Sequence, residues 1–298
     1  MVIIDSHLVP ELNSRVRFVD YAIGIFPQLM SKNSVKKAIK REELYVNDVL
    51  ATQGYWVKCN DNIDLVDPGH RSPKPYDFEI PIIYEDDHLV VVNKPSGLIV
   101  SGNKFETLEN ALVGKIELST QPDAWKWPKP VHRLDAATSG LIMFSKNAFT
   151  HTALAKLFEH KKIEKTYVAL LKGKVDESVK IEEPINDQQA ISDLRVIKVI
   201  HSLRNDFISL VEFKPQTGRT HQLRIHSKHI GHPIVGDKLY GEIGNTLLKK
   251  GMFLCAIGLK FIHPVFKKEM NISMDMPYKF KALLEREVRR WNKYNSTT

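Results

Sequence analysis

The segment Val131-His-Arg-Leu-Asp-Ala-Ala-Thr-Ser-Gly140 places an imidazole, a guanidinium, a carboxylate and two hydroxyls within one short stretch. It ends on a turn glycine and runs straight into the apolar Leu141-Ile-Met-Phe144. Such a loop at a strand end is where reactive side chains are commonly presented. Taken alone, the same residues also fit a plain turn in which the Asp caps its own backbone and the hydroxyls satisfy neighbouring amides. A second cluster, Pro215-Gln-Thr-Gly-Arg-Thr-His-Gln-Leu-Arg-Ile-His226, continues to Gly231-His-Pro-Ile-Val-Gly-Asp237 and Gly241. Its Arg219, His221, Gln222, Arg224 and His226 offer several donors at once, two of them guanidinium forks suited to phosphate or carboxylate. His221, His226, His229 and His232 with Asp237 raise the question of a metal, but their spacing matches neither His-Glu-x-x-His nor a Cys/His framework.

The elements that would position these clusters can be read from apolar periodicity. Ile80–Tyr84 and His88–Asn93 read as strands joined by a turn at Glu85-Asp-Asp87, and Leu141–Phe144 and Thr166–Leu171 as further buried strands. Ala153, Leu154, Leu157 and Phe158 recur at helical spacing between them. Phe207–Val211 and Leu223–Ile225 are expected to be strands, and a basic helix near 278–291 closes the chain. Strands and helices interleave without a strict βαβ rhythm or a Gly-x-Gly-x-x-Gly turn, which points to an α+β fold.

Asp67-Pro-Gly-His-Arg-Ser-Pro-Lys-Pro75 reads as a linker, so the expected organisation is a small domain over 1–67, a linker over 68–77 and a larger domain over 78–298. In the small domain the apolar residues of 16–26 predict one helix ending near Pro27. A second, N-capped by Ser34, covers 35–40 and keeps Lys36, Lys37, Lys40 and Arg41 off its apolar stripe. Short strands follow at 44–46 and 63–66, the first leading into an Asn47-Asp48 turn.

With 298 residues, 43% hydrophobic and 26% charged, the chain has enough material for a sizeable core and excludes a collagen-like or wholly disordered polymer. Lys and Arg exceed Asp and Glu by 43 to 35, a net +8 that favours a polyanionic partner. Cys59 and Cys255 form no disulfide framework or zinc spacing, and no apolar run reaches membrane-spanning length. The start has no signal-peptide pattern, and a cytoplasmic location is expected.

Four ordered motifs carry a resemblance. His132-Arg-Leu-Asp-x-x-Thr-Ser-Gly140, Lys165-Thr-Tyr-x-Ala169, Thr217-Gly-Arg-Thr-His-Gln-Leu-Arg224 and Gly231-His-Pro-Ile-x-Gly-Asp237 resemble the RluA-type family of RNA pseudouridine synthases. Asp87–Gly97 and Phe261-x-His-Pro264 extend the likeness to roughly residues 78–277. Residues 15–66 are similar to the small alpha-L RNA-binding domain that often precedes this catalytic domain, with Glu43 where that domain commonly has glycine.

The resemblance implies a pseudouridine synthase catalytic fold with a mixed, mainly antiparallel sheet, preceded by a small α/β RNA-binding domain. The implied activity is isomerisation of uridine to pseudouridine in RNA, ribosomal or transfer, without metal, organic cofactor or a required protein partner. Asp135 becomes the essential carboxylate, Arg224 its pairing partner, and Tyr167 the aromatic that stacks on uracil with its hydroxyl near the proton leaving carbon 5. His132 and Arg133 would contact the RNA backbone or fill the space of the flipped uridine. Thr138, Arg219, His221, Gln222 and Leu254 are counted with them as substrate-binding, and Cys255 stands where a histidine is common. Lys36, Lys37, Lys40 and Arg41, with Arg286, Arg289 and Arg290 near the C-terminus, would track phosphates. Two other classes compete: a non-catalytic RNA-binding or ribosome-assembly protein on the same scaffold, and a metal-dependent hydrolase built on the late histidines.

Overall fold

In the computed structural model the described residues are 2–67, 74–241 and 250–295. Most of the expected linker, 68–73, lies outside them. The chain divides into two compact units, Met1–Lys74 with Gln121–Asp123, and Pro75–Thr120 with Ala124–Thr298.

The smaller unit carries strands β1 (Val2–Leu8), β2 (Leu44–Val46), β3 (Val49–Leu50) and β4 (Asn62–Asp67) in the order β1-β4-β2-β3, all antiparallel. Asn47 and Asp48, at φ 48° and 62°, form the primed turn that a tight β2–β3 hairpin requires. Helix α1 (Phe18–Tyr21) is shorter than the apolar pattern suggests, because the chain turns off the helix toward Gly24, at φ 78°. Helix α2 spans Lys32–Lys40 and is capped by Ser31, not Ser34. Ser31 Oγ accepts the Ser34 amide at 3.1 Å while Ser34 Oγ accepts the Ser31 amide at 3.0 Å, a reciprocal capping box that starts the helix earlier than expected. Val35 and Ala38 are buried against Phe18, Leu44 and Ile63, leaving Lys36, Lys37, Lys40 and Arg41 exposed. The helix closes with Glu42 N–H on Ile39 C=O and Glu43 N–H on Ala38 C=O, so the left-handed residue of this Schellman turn is Glu42, at φ 59°, beside Glu43.

The larger unit contains β5 (Ile82–Glu85), β6 (Leu89–Lys94), α3 (Leu108–Leu112), β7 (Ala124–Pro130), β8 (Ser139–Asn147), α4 (Ala148–Glu159) and β9 (Glu164–Lys172). It continues with β10 (Val179–Ile181), β11 (Ser192–Ser202), β12 (Asp206–Pro215), α5 (Gln222–His229), β13 (Leu254–Ile262), β14 (Glu269–Ser273) and α6 (Tyr278–Asn295). The strands form one sheet in the order β10-β11-β12-β9-β13-β8-β6-β5, with β14 added to β13 and β7 to β8. Among the named strands every pairing is antiparallel except β13 with β8, so the sheet is mixed and mainly antiparallel, within an α+β fold.

All nine residues of β8 are buried, which is why Leu141–Phe144 reads as an unbroken apolar run. Where β8 meets β13, Gly140 has φ 112° and any Cβ would land on the Ala256 carbonyl, so glycine is required for the two strands to approach. Leu223–Ile225, expected as a strand, lies instead in helix α5. The alternation Leu-Arg-Ile imitates a strand, but Gln222, Arg224, His226 and Ser227 are buried polar residues, each with a hydrogen-bond partner, and so hide the helical face. Gly231, at φ 80°, then closes α5 as its C′ residue.

Candidate active site

The loop between β7 and β8 is fixed through its backbone. Thr138 N–H bonds the Asp135 carbonyl at 3.0 Å, and the end of β6 grips the following residues. Gly97 N–H and Lys94 Nζ both donate to Ala136 C=O, at 2.7 and 3.1 Å, and Ser96 Oγ donates to Ala137 C=O at 2.7 Å. Lys94 is wholly buried and also donates to the Pro95 and Leu98 carbonyls. Burial pushes its pKa down to about 8 against the opposing charge of Asp135. The Asp87–Gly97 motif therefore serves to hold the Asp135 loop.

Held in this way, Asp135 keeps its side chain 19% exposed in a cleft of about 550 Å³. Its Oδ1 is 3.7 Å from His221 Nε2 and its Oδ2 is 3.7 Å from Arg224 Nη1. Arg224 approaches Asp135 through Nη1 alone. Its Nε and Nη2 bond Asp237 at 2.7 and 2.8 Å, and Asp237 also accepts the amides of Leu239 and Tyr240. Burial pushes the Asp237 carboxyl up, but the bonds from Arg224 and those two amides outweigh it and hold the group below the usual carboxylate range. Burial likewise opposes the charge on Arg224, and the Asp237 bond overrides it.

From β9, Lys165 and Tyr167 project on the same face by the period-two rule and both line the cleft. Burial first, then the charge of Asp135, raises the Tyr167 phenol above its ordinary value, so it is a neutral hydroxyl at neutral pH. Burial lowers the Lys165 ammonium, which lies 3.4 Å from the Thr217 carbonyl. Leu254, at the start of β13, lines the same cleft, while Cys255 packs with Val168, Phe253 and Phe280 in a different part of the core. A residue at 255 thus points away from Leu254 along the strand, and burial raises the Cys255 thiol.

The other expected site residues divide by role. Arg133 is exposed at the cleft margin and Thr138 is buried in its lining. His132 accepts the Met143 amide on Nε2 at 3.0 Å and packs on Phe158, and burial lowers its pKa to about 3, so its ring is a neutral wall. Gln222 has its amide fully engaged: Oε1 accepts Thr217 Oγ1 and the Arg219 amide, and Nε2 donates to Ile191 C=O and Ser192 Oγ. Its work is to shape the 217–222 turn. Arg219 is exposed and bonds the Gln189 carbonyl at 3.1 Å.

The late histidines separate. His226 faces the Glu183 carbonyl, His232 the Lys172 carbonyl and His221 the Tyr240 hydroxyl, and no group of three or more His, Cys, Asp or Glu among the described residues is placed to hold a metal. At the C-terminus, Arg286 and Arg290 lie 3.8 and 3.6 Å from the buried Glu287 carboxylate, so helix packing claims two of the three arginines expected on phosphate. Spacing alone gives Lys94, Lys165 and Tyr240 no role, and Asp237 only that of a candidate metal ligand, although Lys94, Lys165 and Asp237 lie inside the quoted motifs. Their significance comes from long-range interactions that spacing does not encode.

Residues 88–229 match the family model described as RNA pseudouridylate synthase. The chain is 33% identical over 300 residues to ribosomal large subunit pseudouridine synthase C of Rickettsia felis, covering 89% of this chain and 94% of that protein. It is 34% identical over 251 residues to ribosomal large subunit pseudouridine synthase D of Zymomonas mobilis, covering 75% and 77%. The solved structure of human RNA pseudouridylate synthase domain containing 1 is similar with a TM-score of 0.56 at 26% identity, over 67% of this chain and 84% of that one. Fold and relatives together define an RNA-modifying isomerase. The chain belongs to the RluA-type family of RNA pseudouridine synthases, and its substrate is RNA.

Proposed function

We propose that this enzyme isomerises uridines of ribosomal RNA, with Asp135 as the essential carboxylate. The observation that carries the reading is the setting of Asp135: partly exposed in the cleft, 3.7 Å from both Arg224 Nη1 and His221 Nε2, with Tyr167 and Leu254 in the same lining. The reaction breaks the bond between the ribose and N1 of uracil, turns the base and joins carbon 5 to the ribose; carbon 5 gives up its proton and N1 gains one, so the atoms balance. Nothing is oxidised or hydrolysed. As the first bond breaks, the sugar gains positive character, the same demand that carboxylates meet in glycosidases.

Within that scheme, Tyr167 stacks on the uracil and presents a neutral hydroxyl near carbon 5, and Leu254 supplies an apolar wall. The target uridine must leave its stack, at a cost of a few kcal/mol that contacts from groups such as Arg133 and Arg219 offset. Lys36, Lys37, Lys40 and Arg41 bind phosphate through the exposed face of α2. Ribosomal RNA is favoured over transfer RNA because relatives covered over most of their length are named for the ribosomal large subunit. Action on ribosomal RNA would place the enzyme in the cytoplasm.

Pseudouridine mapping in cells with and without the gene tests this. Loss of one or more ribosomal RNA pseudouridines is expected. Loss confined to transfer RNA would replace the proposed substrate, and an unchanged map of both would overturn the proposal.

A further inference from the structure

His221 occupies the N-cap position of α5, where Ser, Thr, Asp or Asn would normally bond the first helical amides. Its side chain makes no capping bond, and its backbone is left-handed at φ 59°, ψ 18°. A non-glycine residue held there costs conformational energy, and such positions concentrate where geometry matters for function. The consequence here is directional: the ring is turned out of the helix with one nitrogen on Tyr240 Oη, 3.0 Å from Nδ1, and the other 3.7 Å from Asp135 Oδ1.

Tyr240 is itself braced. Its ring meets that of His221 edge-on at 5.6 Å and 76°, the Arg224 guanidinium sits 5.0 Å from its centroid, and its amide donates to Asp237 at 3.1 Å. Asp237 thus anchors both arms that reach Asp135: Arg224 toward Oδ2 and, through Tyr240, His221 toward Oδ1. The tautomer follows from charge. With the Tyr240 hydroxyl donating to Nδ1, Nε2 carries the proton and faces the carboxylate, whereas the opposite tautomer would aim a lone pair at it.

We propose that His221 is a positioning residue for the isomerisation, its Nε2–H orienting Asp135 and its tautomer set by Tyr240. This rests on the reading of Asp135 as the essential carboxylate. The separation of 3.7 Å is longer than a hydrogen bond, and approaches of this kind tighten in reactive complexes.

The test uses the full chain and unmodified ribosomal RNA transcribed in vitro, measuring single-turnover pseudouridine formation and RNA affinity for His221→Gln, His221→Asn, Tyr240→Phe and Asp135→Asn. Gln carries a donor near the reach of Nε2, while Asn carries it near Nδ1. Expected are a rate loss of about 100-fold for His221→Asn, within about tenfold of wild type for His221→Gln, and an intermediate loss for Tyr240→Phe, with RNA affinity unchanged in all three. Equal rates for the Gln and Asn variants, or affinity falling in step with rate, would overturn the positioning role. Wild-type turnover in Asp135→Asn would instead overturn the reading of Asp135 on which it rests.

Discussion

Arg224 gives two of its nitrogens to Asp237 and turns the third toward Asp135 at 3.7 Å. The bidentate pair fixes the guanidinium plane, and Asp135 receives a directed positive charge without being captured by it. A carboxylate forked directly by an arginine would be less available to a substrate.

Arg224 and Asp237 are both buried, so neutralising Asp237 leaves Arg224 only the more distant Asp135 carboxylate, 3.7 Å away, as a counter-charge. Asp237→Asn is expected to lower stability by about 3–5 kcal/mol, measured by urea unfolding at pH 7. A change below about 1 kcal/mol would show that the pair is not a keystone of the loop.

Arg224→Lys keeps the charge and loses the fork. Pseudouridine formation is expected to fall about 100-fold or more while RNA affinity holds, as read by single-turnover rates and filter binding. Near-normal turnover would mean that a point charge suffices beside Asp135.

His132 is held neutral in the fold, with its pKa lowered to about 3 mainly by burial, against an ordinary value near 6.5. The unfolded chain therefore binds the extra proton first, so this group's contribution is complete above about pH 6.5 and is lost progressively as pH falls toward 3. Thermal unfolding at pH 7 and 4.5 should show a smaller acid loss in His132→Gln than in wild type. Parallel losses would contradict the buried neutral ring.

Gly140→Ala forces a side chain onto the Ala256 carbonyl at a left-handed position. Poor soluble yield or a large drop in melting temperature is expected, and a wild-type melting curve would show that β8 and β13 can separate without cost.

Replacing Lys36, Lys37 and Lys40 with Gln should weaken RNA binding across sequences and reduce the salt slope by about one for each phosphate that is no longer neutralised. An unchanged slope would remove α2 from the RNA path.

The chemistry-bearing motifs were legible because their residue types are unusual together, and most strands were legible because apolar runs such as β8 are buried on both sides. Helix α5 was misread because its buried positions are Gln, Arg, His and Ser, whose burial depends on partners elsewhere in the chain. Asp237 and Tyr240 gained their roles only when the turn after α5 folded back on Arg224. Ser34 was mistaken for a cap because a capping box built from two serines leaves the choice of first serine open to spacing alone. Of the α6 arginines, Arg286 and Arg290 are drawn to the buried Glu287, a pairing that charge spacing alone does not reveal, while Arg289 stays exposed.

The proposed role of Asp135 is to perform the chemistry, not merely to hold RNA. Asp135→Asn, nearly equal in volume, separates the two when pseudouridine formation on ribosomal RNA and RNA affinity are measured on the same preparation. Abolished product with affinity within about twofold of wild type is expected, and pseudouridine still forming at the wild-type rate would remove Asp135 from the chemistry.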